Sequence, residues 1–141
     1  MREWKLLCEK ALEEDMTSFS ITEDVNGDEF SVKELLIIVR LNAATEYQYL
    51  IIKVNDMVNG IGYPIINTGA KVAKLHPIIV AGKFMDVGSL AGNNEYNLSA
   101  ISSYGSVEGI NVEEEIRKIT FTDTNNKPLL TSGSKYIVYG R

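Results

Sequence analysis

Isoleucine and valine together occur 26 times in this sequence of 141 residues, against 8 alanines. β-Branched side chains lose rotamer freedom on a helix and pack well on a pleated surface, so this balance selects sheet. The apolar residues also come in short runs, of which residues 35–39 are among the longest. Eleven asparagines and eleven glycines separate them. Both residue types supply the positive-φ positions of tight turns. Short strands at turn-punctuated spacing predict an all-β, or nearly all-β, sandwich or barrel.

The length is that of one domain, and residues 1–141 show no linker or composition break to divide it. An apolar fraction of 45% is enough for a core without metals or disulfides. The net charge is −5, and no stretch concentrates Lys or Arg. Phosphate backbones need a basic stripe, so nucleic acid is excluded as a partner, and an anionic membrane surface with it. No apolar run approaches the ~20 residues that span a bilayer, and Met-Arg-Glu-Trp does not open a signal peptide.

Along the chain, Trp4, Leu7, Cys8, Ala11 and Leu12 fall at helical spacing, whereas Trp4, Leu6 and Cys8 also alternate as a strand. Residues 18–22 alternate cleanly. Asn26-Gly27 follows as a hairpin signal, with a return strand over 30–41. Its middle, 35–39, is apolar on both faces, which predicts a central position. Further strands are expected at 47–54, 61–66, 72–81, 83–87, 98–104, 119–122 and 135–139. Pro64 and Pro77 each remove a ladder donor and mark edges or bulges. Residues 112–117 suit one helical turn, and 125–128 a turn. Residues 20–27 and 120–126 echo one another, which reads as repeated hairpin chemistry.

Catalytic chemistry is sparse. The single Cys8 has no cysteine partner for a disulfide or a thiolate metal site. The single His76 lies beside Pro77 among apolar residues, away from any nucleophile elbow. Asp24, Asn26 and Asp28 have the odd spacing of a calcium loop, but Glu29 and Leu35 stand where such a loop needs Gly and Glu. Gly60-Ile61-Gly62 lacks the third glycine of a nucleotide fingerprint. Glu113, Glu114 and Glu115 read as a solvated face. No catalytic residue, cofactor or metal site is therefore expected. One stretch has the residue types of a sugar-binding surface: Asn93, Asn94, Glu95, Tyr96 and Asn97 set an aromatic platform beside amides and a carboxylate on an exposed loop.

Two stretches carry a family resemblance. One is Trp4 to Asp15, then Phe19-Ser20-Ile21-Thr22 and Asp24-Val25-Asn26-Gly27-Asp28-Glu29-Phe30 leading into Leu35-Leu36-Ile37-Ile38. The other is Ile119-Thr120-Phe121 with the ending Gly133-Ser134-Lys135-Tyr136-Ile137-Val138-Tyr139-Gly140-Arg141. Together they resemble phage and prophage structural proteins of Gram-positive bacteria, over roughly the first forty and last twenty-five residues. The resemblance implies an antiparallel, jelly-roll-like β-sandwich closed by its last strand, and it makes the Trp4 segment a strand. It also implies a non-enzymatic virion component of tail, tail fibre or baseplate, with a part in host-surface recognition. Such a protein self-associates, as a trimer by this resemblance, meets other virion proteins, and passes from the bacterial cytoplasm into the virion. A stand-alone carbohydrate-binding module and a small glycan-cleaving enzyme are the alternatives.

Overall fold

The computed structural model describes residues 3–42, 50–64, 71–103, 115–123 and 130–141. Among these residues the β-branched segments form twelve strands: β1 (Lys5–Ala11), β2 (Ser18–Ile21), β3 (Leu35–Arg40), β4 (Leu50–Val54), β5 (Ile61–Tyr63), β6 (Val72–Leu75), β7 (Pro77–Val80), β8 (Lys83–Asp86), β9 (Ser89–Gly92), β10 (Leu98–Ile101), β11 (Ile119–Asp123) and β12 (Lys135–Gly140). Every ladder among the described residues is antiparallel, and none of those residues is helical.

The pairing is nested. β1 pairs with β12, β2 with β11, β3 with β6, and β4 with β5. This is one long hairpin with β4 and β5 at its tip. Rolled up, it gives a sheet β1-β12-β3-β6 against a sheet β2-β11-β4-β5, which is the jelly roll. The excursion β7 to β10 lies between β6 and β11 in the chain. β9 and β10 extend the first sheet to six strands, and β7 and β8 form a separate ribbon. That ribbon ties the two sheets together. The Ile79 N–H donates to the Lys33 carbonyl before β3, and the Tyr63 hydroxyl on β5 donates to Asp86 Oδ1 at 3.0 Å.

Alternate residues of both sheets meet in one core. Leu35, Ile37, Val39, Tyr136 and Val138 come from the six-stranded sheet, and Phe19, Ile52, Tyr63, Ile119 and Phe121 from the four-stranded one. In β1 the alternation slips between Leu6 and Cys8. This β-bulge places Leu7 in the core with Cys8 packed against it. The two echoing segments are neighbours in space: β2 and β11 pair with Phe19 opposite Phe121 and Ser20 opposite Thr120. The two phenyl rings stack at 4.9 Å, and Tyr136 meets Phe19 edge-on at 5.1 Å.

The Tyr136 hydroxyl is buried with no hydrogen-bond partner among the described residues. Burial pushes its pKa up. An orphaned buried hydroxyl costs about 1–3 kcal/mol. Tyr136→Phe is therefore expected to raise the melting temperature by about a few degrees in a thermal melt. A lower one would mean that the hydroxyl has a partner worth keeping.

Several expectations are corrected. Asn26-Gly27 does sit in a tight turn, with Gly27 at φ 81° and Glu23 bridged to Glu29. But β2 and β3 do not form the expected hairpin: they lie in opposite sheets. The return strand begins at Leu35, not at Phe30, because residues 30–34 cross between the sheets. Within that crossing Val32 bridges to Ile116, so residues 115–117 are extended and not part of a helical turn. The single strand expected at 72–81 is broken at His76 into β6 and β7, where Pro77 brings no donor to continue the ladder. The parts of the expectations that fall on 47–49, 65–66, 104, 112–114 and 125–128 lie outside the described residues.

Candidate functional site

Asn93, Asn94, Glu95, Tyr96 and Asn97 form the exposed loop between β9 and β10, at the outer edge of the six-stranded sheet. Asn94 shapes it: its Oδ1 accepts the N–H groups of Tyr96 at 2.9 Å and Asn97 at 3.1 Å, an Asx turn. Gly92 is required by the loop's closure, because a Cβ there would lie 1.9 Å from the Asn97 carbonyl oxygen. Glu95 is held by an ion pair with Arg40 on β3. Tyr96 is 94% exposed, with its ring standing in solvent. The loop thus presents an aromatic ring. Its Asn94 side chain is committed to the turn and its Glu95 carboxylate to Arg40.

A second constellation crosses four strand positions on the outer face of the same sheet. Glu34 Oε2 accepts from His76 Nε2 at 3.2 Å and from Arg141 Nε and Nη2, each at 3.3 Å. The Arg141 guanidinium lies 4.2 Å from the Trp4 ring centre, and Trp4 meets the His76 ring edge-on at 5.8 Å. Burial raises the Glu34 pKa, but the hydrogen bonds of His76 and Arg141, with their charge, outweigh it. The carboxyl is held below its ordinary value. Sequence reasoning missed this cluster. Its members are distant in the chain, and only the topology places their ends side by side.

His76 and Ser89 do not make a nucleophile–base pair. Ser89 Oγ meets only the backbone N–H of His76, at 3.2 Å, and donates to Asp86 Oδ1 at 2.6 Å. The His76 ring points instead to Glu34. Cys8 is half-buried, and burial pushes its thiol pKa up, away from the reactive thiolate. In the turn at 24–28, Asp24 Oδ1 accepts from the Asn26 and Asp28 N–H groups, and Oδ2 pairs with Lys5 Nζ at 2.7 Å. The Lys5 hydrogen bond, with those two backbone bonds, holds the Asp24 pKa low. Among the described residues no three His, Cys, Asp or Glu side chains converge as a metal site.

The outer face of the six-stranded sheet is itself unusual. Reading across its strands, one row runs Glu9, Ile137, Ile38, Lys74, Leu90, Ala100, and the next runs Leu6, Tyr139, Leu36. Solvent-side residues of a two-layer sandwich are ordinarily polar. Here five large apolar side chains, all half-buried, lie together on that side, and the exposed Leu90 lies beyond Lys74. The sequence placed 35–39 centrally because both faces are apolar. β3 is central, but its second face, Leu36 and Ile38, looks outward.

No family model, curated protein or solved structure matches this chain. The residues themselves carry the functional reading.

Proposed function

We propose that this chain is a structural module of a bacteriophage or prophage virion, of tail, tail-fibre or baseplate type, that works by self-assembly. The supporting observation is the apolar outer face formed by Leu6, Leu36, Ile38, Ile137 and Tyr139 on the jelly roll. Contiguous apolar surface of this kind mark protein contacts in folded domains. The resemblance of both chain ends to phage structural proteins agrees with it. In this reading the protein gathers in the bacterial cytoplasm and leaves in the virion, where its partners are further copies and other virion proteins. The described residues contain no helix long and apolar enough to cross a membrane. Mass spectrometry of particles purified after prophage induction of the source bacterium is expected to find the chain in stoichiometric amount. Particles that lack it would overturn the reading.

A second reading, a carbohydrate-binding module, is favoured by one observation: Tyr96 offers a solvated ring beside Asn93 and Asn97 on a loop braced by Arg40 and Asn94. A cell-surface glycan would stack on that ring, and a glycan array comparing the parent with Tyr96→Ala tests it.

A further inference from the structure

We infer that the outer face of the six-stranded sheet is the contact between two copies of this chain, related by a two-fold axis that runs parallel to the strands between β12 and β3. The inference rests on the assembly reading and specifies its surface and symmetry. Charge complementarity along the register of the sheet points to this axis. Glu9, Ile137, Ile38 and Lys74 occupy successive strands in one row. An axis between Ile137 and Ile38 reverses that row in the facing copy. Ile137 then lies over Ile38 of the second copy, and Glu9 lies over Lys74 of the second copy, twice by symmetry.

The neighbouring rows obey the same operation. Tyr139 falls over Leu36 of the second copy. Arg141, whose backbone pairs with Glu34 across β12 and the start of β3, falls over Glu34 of the second copy. Glu9, held within its own copy by Lys135, and Glu34, held by Arg141 and His76, thus each meet a further cation from the facing copy, with apolar side chains between the two rows. The remaining row sets Lys135 over Arg40 at the rim, where each already has a carboxylate, Glu9 and Glu95 respectively. An axis across the strands would instead drop Lys135 and Arg40 onto Tyr139 and Leu36. That arrangement buries charge against apolar surface and is excluded by its cost. A self-complementary patch of this kind is what a closed two-fold interface requires.

Sedimentation equilibrium of the full chain over the micromolar range tests it. A reversible dimer is expected. Ile38→Glu, at the axis, is expected to raise its dissociation constant at least about tenfold. Glu9→Lys, which sets Lys against Lys74 of the second copy, is expected to weaken the dimer about threefold to tenfold. Adding Lys74→Glu to Glu9→Lys should restore it. Within one copy these two residues stand three strand spacings apart, about 14 Å, so rescue reads contact between copies. The charge swap is at exposed positions and remains informative if Ile38→Glu fails to fold. A trimer, or a dimer indifferent to these changes, would overturn the two-fold face and leave the assembly reading standing. A monomer throughout would remove both, while the particle composition separately decides virion membership.

Discussion

Removal of residues 134–141 is expected to abolish the cooperative thermal melt of this protein. Those residues form β12, which lies between β1 and β3 and pairs with both along its whole length. Tyr136 and Val138 are fully buried from it. Each such side chain contributes about 1.5–3 kcal/mol by burial. The loss also strands the facing N–H and C=O groups of two strands, in a domain whose whole net stability is about 5–15 kcal/mol. Ser134 adds to this, since its hydroxyl accepts the Asn42 N–H and its carbonyl accepts the Leu12 N–H. Circular dichroism melts of the truncated and full chains decide the matter. If the truncated chain melts cooperatively within a few degrees of the parent, β12 is not the keystone of the sheet.

The second large effect is expected from Val138→Asp, judged against Ile137→Asp. Val138 points inward between Cys8 and Ile37, with none of its surface exposed, while its neighbour Ile137 points outward. A carboxylate at 138 would be buried without a partner, a change that costs several kcal/mol. The expected fall in melting temperature is on the order of 10–20 °C, or outright failure to fold. The same carboxylate at 137 leaves the core of each copy intact, so at a concentration where the chain is monomeric its melt should fall by only about a few degrees. Equal losses at the two positions would contradict the alternation of β12, and with it the assignment of an inner and an outer face.

What was legible in the sequence is what a strand announces locally. Period-two alternation over 18–22 and 119–122, the apolar runs at 35–39 and 136–139, and the turn residues between them mark strands without any knowledge of their partners. Partner choice is not local. Asn26-Gly27 signals a turn, and the turn is there, but nothing within ten residues says that Phe19 must face Phe121. The echo between 20–27 and 120–126 reads as repeated turn chemistry and does not say that β2 and β11 are partners.

The candidate sites divide in the same way. The loop of Asn93, Asn94, Glu95, Tyr96 and Asn97 is contiguous and could be proposed from residue types alone. That Arg40 would hold its carboxylate depends on the register of β3 against β6 and β9. The cluster of Trp4, Glu34, His76 and Arg141 had no sequence signal, because each member sits at a strand end and only the nested pairing aligns those ends. The apolar outer face was half legible. A strand apolar on both sides is central, but centrality does not say whether the second side is covered by the same chain.

The nested pairing also sets the order in which the protein can be made. Lys5 waits for Gly140 and Ser18 for Thr122, so β1 and β2 are made long before the strands β12 and β11 that pair with them. Among the described residues, local pairing is available at the hairpin tip, β4 with β5, and in the excursion strands. Sheets built on such distant contacts close slowly, in milliseconds to seconds, because loop closure must precede the contacts that reward it. Until residue 140 has left the ribosome, β1 and β3 each present an unpaired edge bearing Leu6, Leu36 and Ile38. A nascent chain in that state adheres to its own kind. Lower synthesis temperature or slower induction is therefore expected to raise the fraction of folded chain, measured in the supernatant after lysis.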